Sequence, residues 1–175
     1  ILGITVEKIE KILDNNKNNF VAQIANDNSE GQIVVSGNNQ DLEKLGLVLK
    51  ENKIKNIKLP VSAPFHCSLM HNATEIMSKE LSKLNFKKGT NVLISNVTAD
   101  EISNADELKN LLITQIENRV RWRESIINMI DNKINQFIEI GPGKVLSGLV
   151  KRINKEVIVS SINDEEDIKS IKIWK

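Results

Sequence analysis

Residues 20–37 read FVAQIANDNSEGQIVVSG. In FVAQIAN (20–26) the apolar residues alternate as in a half-buried strand, DNSEG (27–31) is turn chemistry, and QIVVSG (32–37) is a second strand. The spacing predicts a hairpin. Upstream, Val6, Ile9, Ile12 and Leu13 recur at helical spacing in TVEKIEKILDNN (5–16), with Thr5 as N-cap, after a strand-like ILGIT (1–5). Downstream, NNQDLEKLGLVLKEN (38–52) places Leu42, Leu45 and Leu49 on one helical stripe, capped by Asn38 or Asn39. IKNIKLP (54–60) then reads as a strand stopped by Pro60. The order β-α-β-β-α-β over residues 1–59 is the ferredoxin-like split βαβ arrangement.

From Pro60 the rhythm changes. Helices are predicted over 68–84, with Ala73, Ile76, Met77, Leu81 and Leu84 facing inward, and over 104–120 and 121–132. A buried-type strand is predicted at NVLISNVT (91–98) and another at NQFIEI (135–140). GPG then turns into helix KVLSGLVKRI (144–153), followed by strand EVIVSSI (156–162) and a closing helix DEEDIKSI (164–171). Strands alternating with helices argue for a parallel α/β sheet over residues 60–175. Three strands make a thin sheet, and the chain opens on core-like residues without an initiator Met, so further chain is expected before residue 1.

Composition narrows the function classes. The chain has 175 residues, a net charge of +1, 27% charged and 40% hydrophobic residues, and one cysteine. The charge provides no field to draw it to nucleic acid or to a membrane surface. A single cysteine rules out an internal disulfide and fits a reducing compartment. No apolar run approaches the roughly 18–20 residues of a membrane span.

Several motifs invite chemistry. GPGK (141–144) looks like a phosphate loop, but Ile138 stands where the Walker pattern needs glycine, and Val145 where it needs Ser or Thr. A tight strand-to-helix turn is the better reading. In RVRWR (119–123) the arginines are expected to pair with acids such as Glu117 and Glu124, and Trp122 to pack. Cys67 follows His66 on an extended segment, so the two side chains should point apart. With His71, these residues lack the paired spacing of a zinc site. His66, in PVSAPFHCSLM (60–70), is the serious candidate. The helix expected just after it would present its positive end and keep the ring neutral, the form a general base needs. A base needs a nucleophile, however, and no G-x-S-x-G elbow exists in the chain; Ser147 in GPGKVLSGL has the wrong spacing.

Five stretches, LPVSAPFHCSLM, NDNSEGQIVVSG, ISNVTA, QIENRVRW and IEIGPGKVLSGL, together resemble the malonyl-CoA:acyl carrier protein transacylases of bacterial fatty-acid synthesis, in that family's order and approximate spacing. The likeness covers nearly all of the chain but only the C-terminal part of the family. It implies a ferredoxin-like small subdomain (1–59) and, over 60–175, the C-terminal part of an α/β-hydrolase-like parallel-sheet core. It also implies ping-pong acyl transfer through a serine. The family histidine that activates the serine and later the incoming thiol maps onto His66. The glutamine whose backbone carbonyl orients that histidine maps onto Gln115. Asn26 and Asn28 match polar positions near the substrate entrance. Phe65, next to the base, matches a position where a bulky ring accompanies malonyl rather than methylmalonyl substrates.

By the same resemblance the protein is cytoplasmic and works on malonyl-CoA and acyl carrier protein. Neither metal nor cofactor is implied, because the coenzyme A thioester is itself the substrate, and no nucleic-acid or membrane partner is expected. The family's oxyanion loop, its G-H-S-L-G serine and its malonyl-gripping arginine have no counterpart in these residues. The expectation is therefore a fragment, inactive alone, whose partner is an N-terminal half encoded separately if it exists. The alternative is a non-catalytic remnant or carrier-protein-binding module. An RNA-binding ferredoxin-like module would need an aromatic pair on its strands, which is missing.

Overall fold

A computed structural model describes residues 1–87 and 89–170, excluding the side chain of Ser170. Two compact units divide within one helix, Ile1–Ser125 and the residues from Ile126 onward. The expected boundary at residue 59 falls inside the first.

In the first unit, β1 (Ala22–Ser29) and β2 (Gln32–Gly37) form an antiparallel hairpin. Its tight turn ends on Gly31 at φ +70°, a region that L side chains enter only with strain. Helices α1 (Val6–Asn15) and α2 (Asn39–Glu51) cover one face of the hairpin. Ile9, Ile33, Leu45 and Leu49 are buried with Ile4, Val6 and Phe20 in one apolar cluster. The stripes read from the sequence thus became the core, each fully buried aliphatic chain contributing about 1.5–3 kcal/mol. Asn38 caps α2, its Oδ1 accepting the Asp41 N–H at 2.9 Å.

The two flanking strands expected in residues 1–60 contract to single bridges. Leu2 pairs antiparallel with Gln32 on one side and Lys55 on the other. Gly3, at φ +75°, turns the chain out of extended geometry immediately afterwards. On the far edge of β1, Val120 donates to the Ala25 carbonyl at 2.8 Å and accepts from Asp27 N–H at 2.9 Å. This parallel bridge covers an edge that would otherwise be open.

Beyond Pro60 a 3-10 turn (Ser68–Met70) leads into α3 (His71–Ser82), which packs against α4 (Ala105–Thr114). Ile76, expected inside, is 62% exposed, and Met77 is exposed as well. Helix α4 ends at Thr114 rather than running to residue 120, because the following residues leave to join the edge of β1. The strand expected at 91–98 is a short irregular hairpin, with an isolated bridge between Ile94 and Glu101. No regular strand flanks it among the described residues. Asp27, on β1, is 0% exposed and takes the Arg123 Nε at 2.9 Å and its terminal nitrogen at 2.9 Å. Arg123 lies in the first turn of α5 (Trp122–Asp131).

In the second unit β3 (Gln136–Ile140) and β4 (Ile158–Ile162) pair in parallel, joined through α6 (Val145–Ile153). The GPG turn places Gly141 at φ +138° and Gly143 at φ +95°. The Glu139 carboxylate accepts the N–H groups of Leu146 at 3.1 Å and Ser147 at 2.7 Å. The anion at this helix start is therefore the chain's own carboxylate, which is why the turn resembles a phosphate loop without being one. Helix α7 (Glu165–Ser170) follows β4; Ile171, at the end of the expected helix, lies outside the described residues.

Three outcomes follow from this packing. Lys53 and Lys133 sit at positive φ one residue past the caps of α2 and α5, with Ile54 N–H reaching the Leu49 carbonyl and Ile134 N–H that of Met129. Glycine is the preferred residue there, so Lys53→Gly should raise unfolding stability by about 1 kcal/mol in urea titration. Arg123→Ala would strand the buried Asp27 charge and should cost about 3 kcal/mol, whereas Asp27→Leu combined with Arg123→Met should recover most of that loss. Glu139 is held below the ordinary carboxylate range by the Ser147 hydroxyl first and backbone amides second. Its stabilising effect is present above about pH 4.3, the unfolded value, and is lost as pH falls through the lowered folded pKa. Glu139→Gln should therefore flatten the acid limb of a stability–pH profile.

Candidate active site

The site grows from the residues that precede α3. Four residues other than glycine have left-handed backbone among those described: Lys53, His66, Ala99 and Lys133. The two lysines terminate helices in the ordinary way, and Ala99 lies in the tight 95–100 loop. His66, at φ +60°, has no helix end to explain it. Such a conformation costs about 1–3 kcal/mol and persists where the surroundings over-determine it, which is characteristic of functional sites. Here the structure corrects the sequence reading: His66 occupies a turn rather than an extended run.

The turn aims the imidazole at the end of α4. His66 Nδ1 lies 2.9 Å from the backbone carbonyl oxygen of Gln115. A carbonyl can only accept, so Nδ1 carries the proton, and in the neutral ring Nε2 is left with its lone pair. Gln115 is the C-cap of α4, where the last carbonyls have no intrahelical donor. The ring therefore meets an acceptor at the partially negative end of α4, not the positive end of the following helix. That helix begins only at His71, after the 3-10 turn.

A cleft of about 500 Å³ opens beside His66, lined among others by Glu10, Gln23, Glu117, Asn118 and Arg119. Three carboxylates, those of Glu10, Asp14 and Glu117, line it together with Arg119. Arg119 pairs with Glu10 at 3.1 Å and Glu124 at 3.6 Å. A hydrogen bond from Thr74, and a weaker contribution from His71, hold the Glu117 carboxyl below its ordinary range. Of the expected partners of the RVRWR arginines, Glu124 takes Arg119 and Arg121, while Glu117 takes His71 instead.

His66 and Gln115 are thus brought together across 49 residues of chain. Phe65, Asn26 and Asn28 are not among the residues lining this cleft. Phe65 is 47% exposed, and Asn26 and Asn28 flank the buried Asp27 on β1. Cys67 is buried, its thiol directed to the Pro64 carbonyl at 3.1 Å rather than to His66. Sequence reasoning missed the Asp27–Arg123 pair. The reading of 27–31 as a turn hid it, because β1 runs on to Ser29 and Asp27 shares its buried row with Ala25 and Ser29.

No family model matches the chain. Over 170 residues it is 40% identical to the malonyl CoA-acyl carrier protein transacylase of Bacillus subtilis, a match covering 96% of this chain and 54% of that one. The Escherichia coli K12 protein of the same name is 34% identical over 165 residues, with 94% and 53% covered. Among solved structures, the malonyl CoA-acyl carrier protein transacylase of Clostridium perfringens superposes with a TM-score of 0.91 at 40% identity, covering 97% of this chain and 54% of that one. A malonyl-transacylase in complex with a type II polyketide acyl-carrier protein superposes equally well, TM-score 0.91 at 30% identity, covering 97% and 55%. The chain spans about half the length of the curated relatives it matches. Agreement of sequence and backbone over nearly all of its residues makes this chain a relative of the malonyl CoA-acyl carrier protein transacylases along about half of their length.

Proposed function

We propose that this chain supplies the histidine-bearing part of a malonyl-CoA:acyl carrier protein S-malonyltransferase. The observation that carries the reading is the His66 Nδ1 hydrogen bond to the Gln115 carbonyl, which leaves Nε2 as the proton acceptor. In this mechanism His66 takes the proton of a serine hydroxyl as it attacks the malonyl thioester, then returns it to the departing coenzyme A sulfur. In the second half-reaction it deprotonates the carrier-protein thiol, which attacks the malonyl-enzyme ester, and it passes that proton to the serine oxygen as the ester bond breaks. The Gln115 carbonyl takes the place of a triad carboxylate, holding the ring and accepting from the imidazolium that forms. The serine belongs to the half of the relatives that this chain does not match, for these 175 residues contain no G-x-S-x-G.

The finer assignments belong to the same reading. Residues 1–59 are a ferredoxin-like subdomain, supported by the antiparallel spatial order Lys55, Leu2, β2, β1. Residues 60–175 belong to an α/β-hydrolase-like core. Phe65 restricts space beside the base, a discrimination of about 1–3 kcal/mol against one added methyl group, and Asn26 and Asn28 lie toward the substrate entrance. The reaction needs no metal or cofactor beyond the coenzyme A thioester, and it takes place in the cytoplasm.

The absent elbow also favours a second reading, a carrier-protein-binding module without catalysis. A chimaera separates the two: this chain replaces the segment it matches in the Bacillus subtilis relative. Malonyl transfer from coenzyme A to acyl carrier protein should be restored, and His66→Ala in the chimaera should lower kcat about 10²–10⁴-fold. A folded chimaera that binds carrier protein but transfers nothing would favour the binding module.

A further inference from the structure

The strained turn that carries His66 is held from both sides by the β1–β2 hairpin. Ser36, on β2, is buried, and its hydroxyl donates to the Phe65 carbonyl at 2.6 Å, immediately before His66. Gln23, on β1, accepts the Ser68 N–H through its Oε1 at 2.7 Å, two residues after His66. Between these anchors the Cys67 thiol closes the turn on the Pro64 carbonyl at 3.1 Å. The hairpin also reaches the segment that follows Gln115, since Asn26 on β1 bridges Val120, five residues beyond it. One rigid element therefore holds both His66 and the segment supplying its carbonyl partner.

We infer that Ser36 and Gln23 are positioning residues that clamp the left-handed His66 turn and so keep Nδ1 on the Gln115 carbonyl. The left-handed region costs a residue with a Cβ about 1–3 kcal/mol, and at His66 (φ +60°) the Ser36 and Gln23 hydrogen bonds hold the backbone on either side of it. Without them the turn would relax toward extended geometry and carry the ring off its carbonyl. Ser36 does not line the cleft, so any effect of its hydroxyl on chemistry must pass through the turn. The inference rests on the reading of His66 as the base, but the clamp has its own signature.

That signature is the imidazole nitrogen spectrum of the 175-residue chain, with the His71→Gln change made to leave a single ring signal. The parent should show a protonated Nδ1 and an unprotonated Nε2. In Ser36→Ala, Gln23→Leu and the double variant the two resonances should move toward one another, most in the double. Ser36→Thr and Gln23→Glu, which keep the donor and the acceptor, should restore the separation. Gln23 is exposed, so Gln23→Leu stays folded even if a change at Ser36 does not. Unchanged nitrogen shifts in the folded variants would overturn the clamp.

In the chimaera, Ser36→Ala should lower kcat about 10–100-fold with little change in KM, as expected for a misplaced catalytic group. Unchanged kcat despite averaged shifts would overturn its bearing on catalysis. If His66→Ala in the chimaera retains full activity, the base reading fails, and the nitrogen spectrum still decides the clamp.

Discussion

Two backbone hydrogen bonds organise the first unit. Val120 gives its N–H to Ala25 and takes that of Asp27, joining chain segments about ninety residues apart along one edge of β1. Much follows from that bridge. Helix α4 has to end early enough for residues 115–121 to reach the strand. The ending leaves the Gln115 carbonyl without a helical donor, available to the ring of His66. The same edge brings Arg123 onto Asp27, so the buried carboxylate meets a guanidinium there.

The pairing of the His66 ring with the Gln115 carbonyl has a chemical logic that a carboxylate would not reproduce. A neutral carbonyl selects the same tautomer as an aspartate would, because it can only accept, yet it brings no full charge into a cleft that already holds Glu10, Asp14 and Glu117. The cost is borne in the backbone, where His66 stands in a left-handed conformation that the hairpin stabilises through Ser36 and Gln23. Strain and its compensation come from different parts of the chain, as is usual where a side chain must be aimed rather than merely packed.

A good part of the fold was legible in the residues themselves. Apolar spacing located α1, α2 and the hairpin, and their predicted stripes are the buried cluster around Ile9, Ile33 and Leu49. These elements are short-range in origin, decided by periodicity, caps and a glycine turn. The elements that went astray depend on distant partners. Leu2 and Lys55 are bridges rather than strands, the 91–98 segment folds back on itself, and α4 stops six residues short of the expected end. Of the site, His66 stood out by its residue type and by the company of five familiar stretches. Gln115 could be reached only by resemblance, because what it contributes is a peptide carbonyl that every residue possesses.

The sequence by itself determined the hairpin with its two covering helices, the absence of a nucleophile elbow among these residues, and the kinship with a transacylase family. Those follow from local pattern and from the order of motifs, which survive without coordinates. Only the tertiary structure decided that His66 is bent into a left-handed turn, that its Nδ1 rests on the end of α4, and that Asp27 finds Arg123. The last two join groups 49 and 96 residues apart through hydrogen bonds. Such bonds depend on where the backbone is carried in space, and spacing along the chain does not record that.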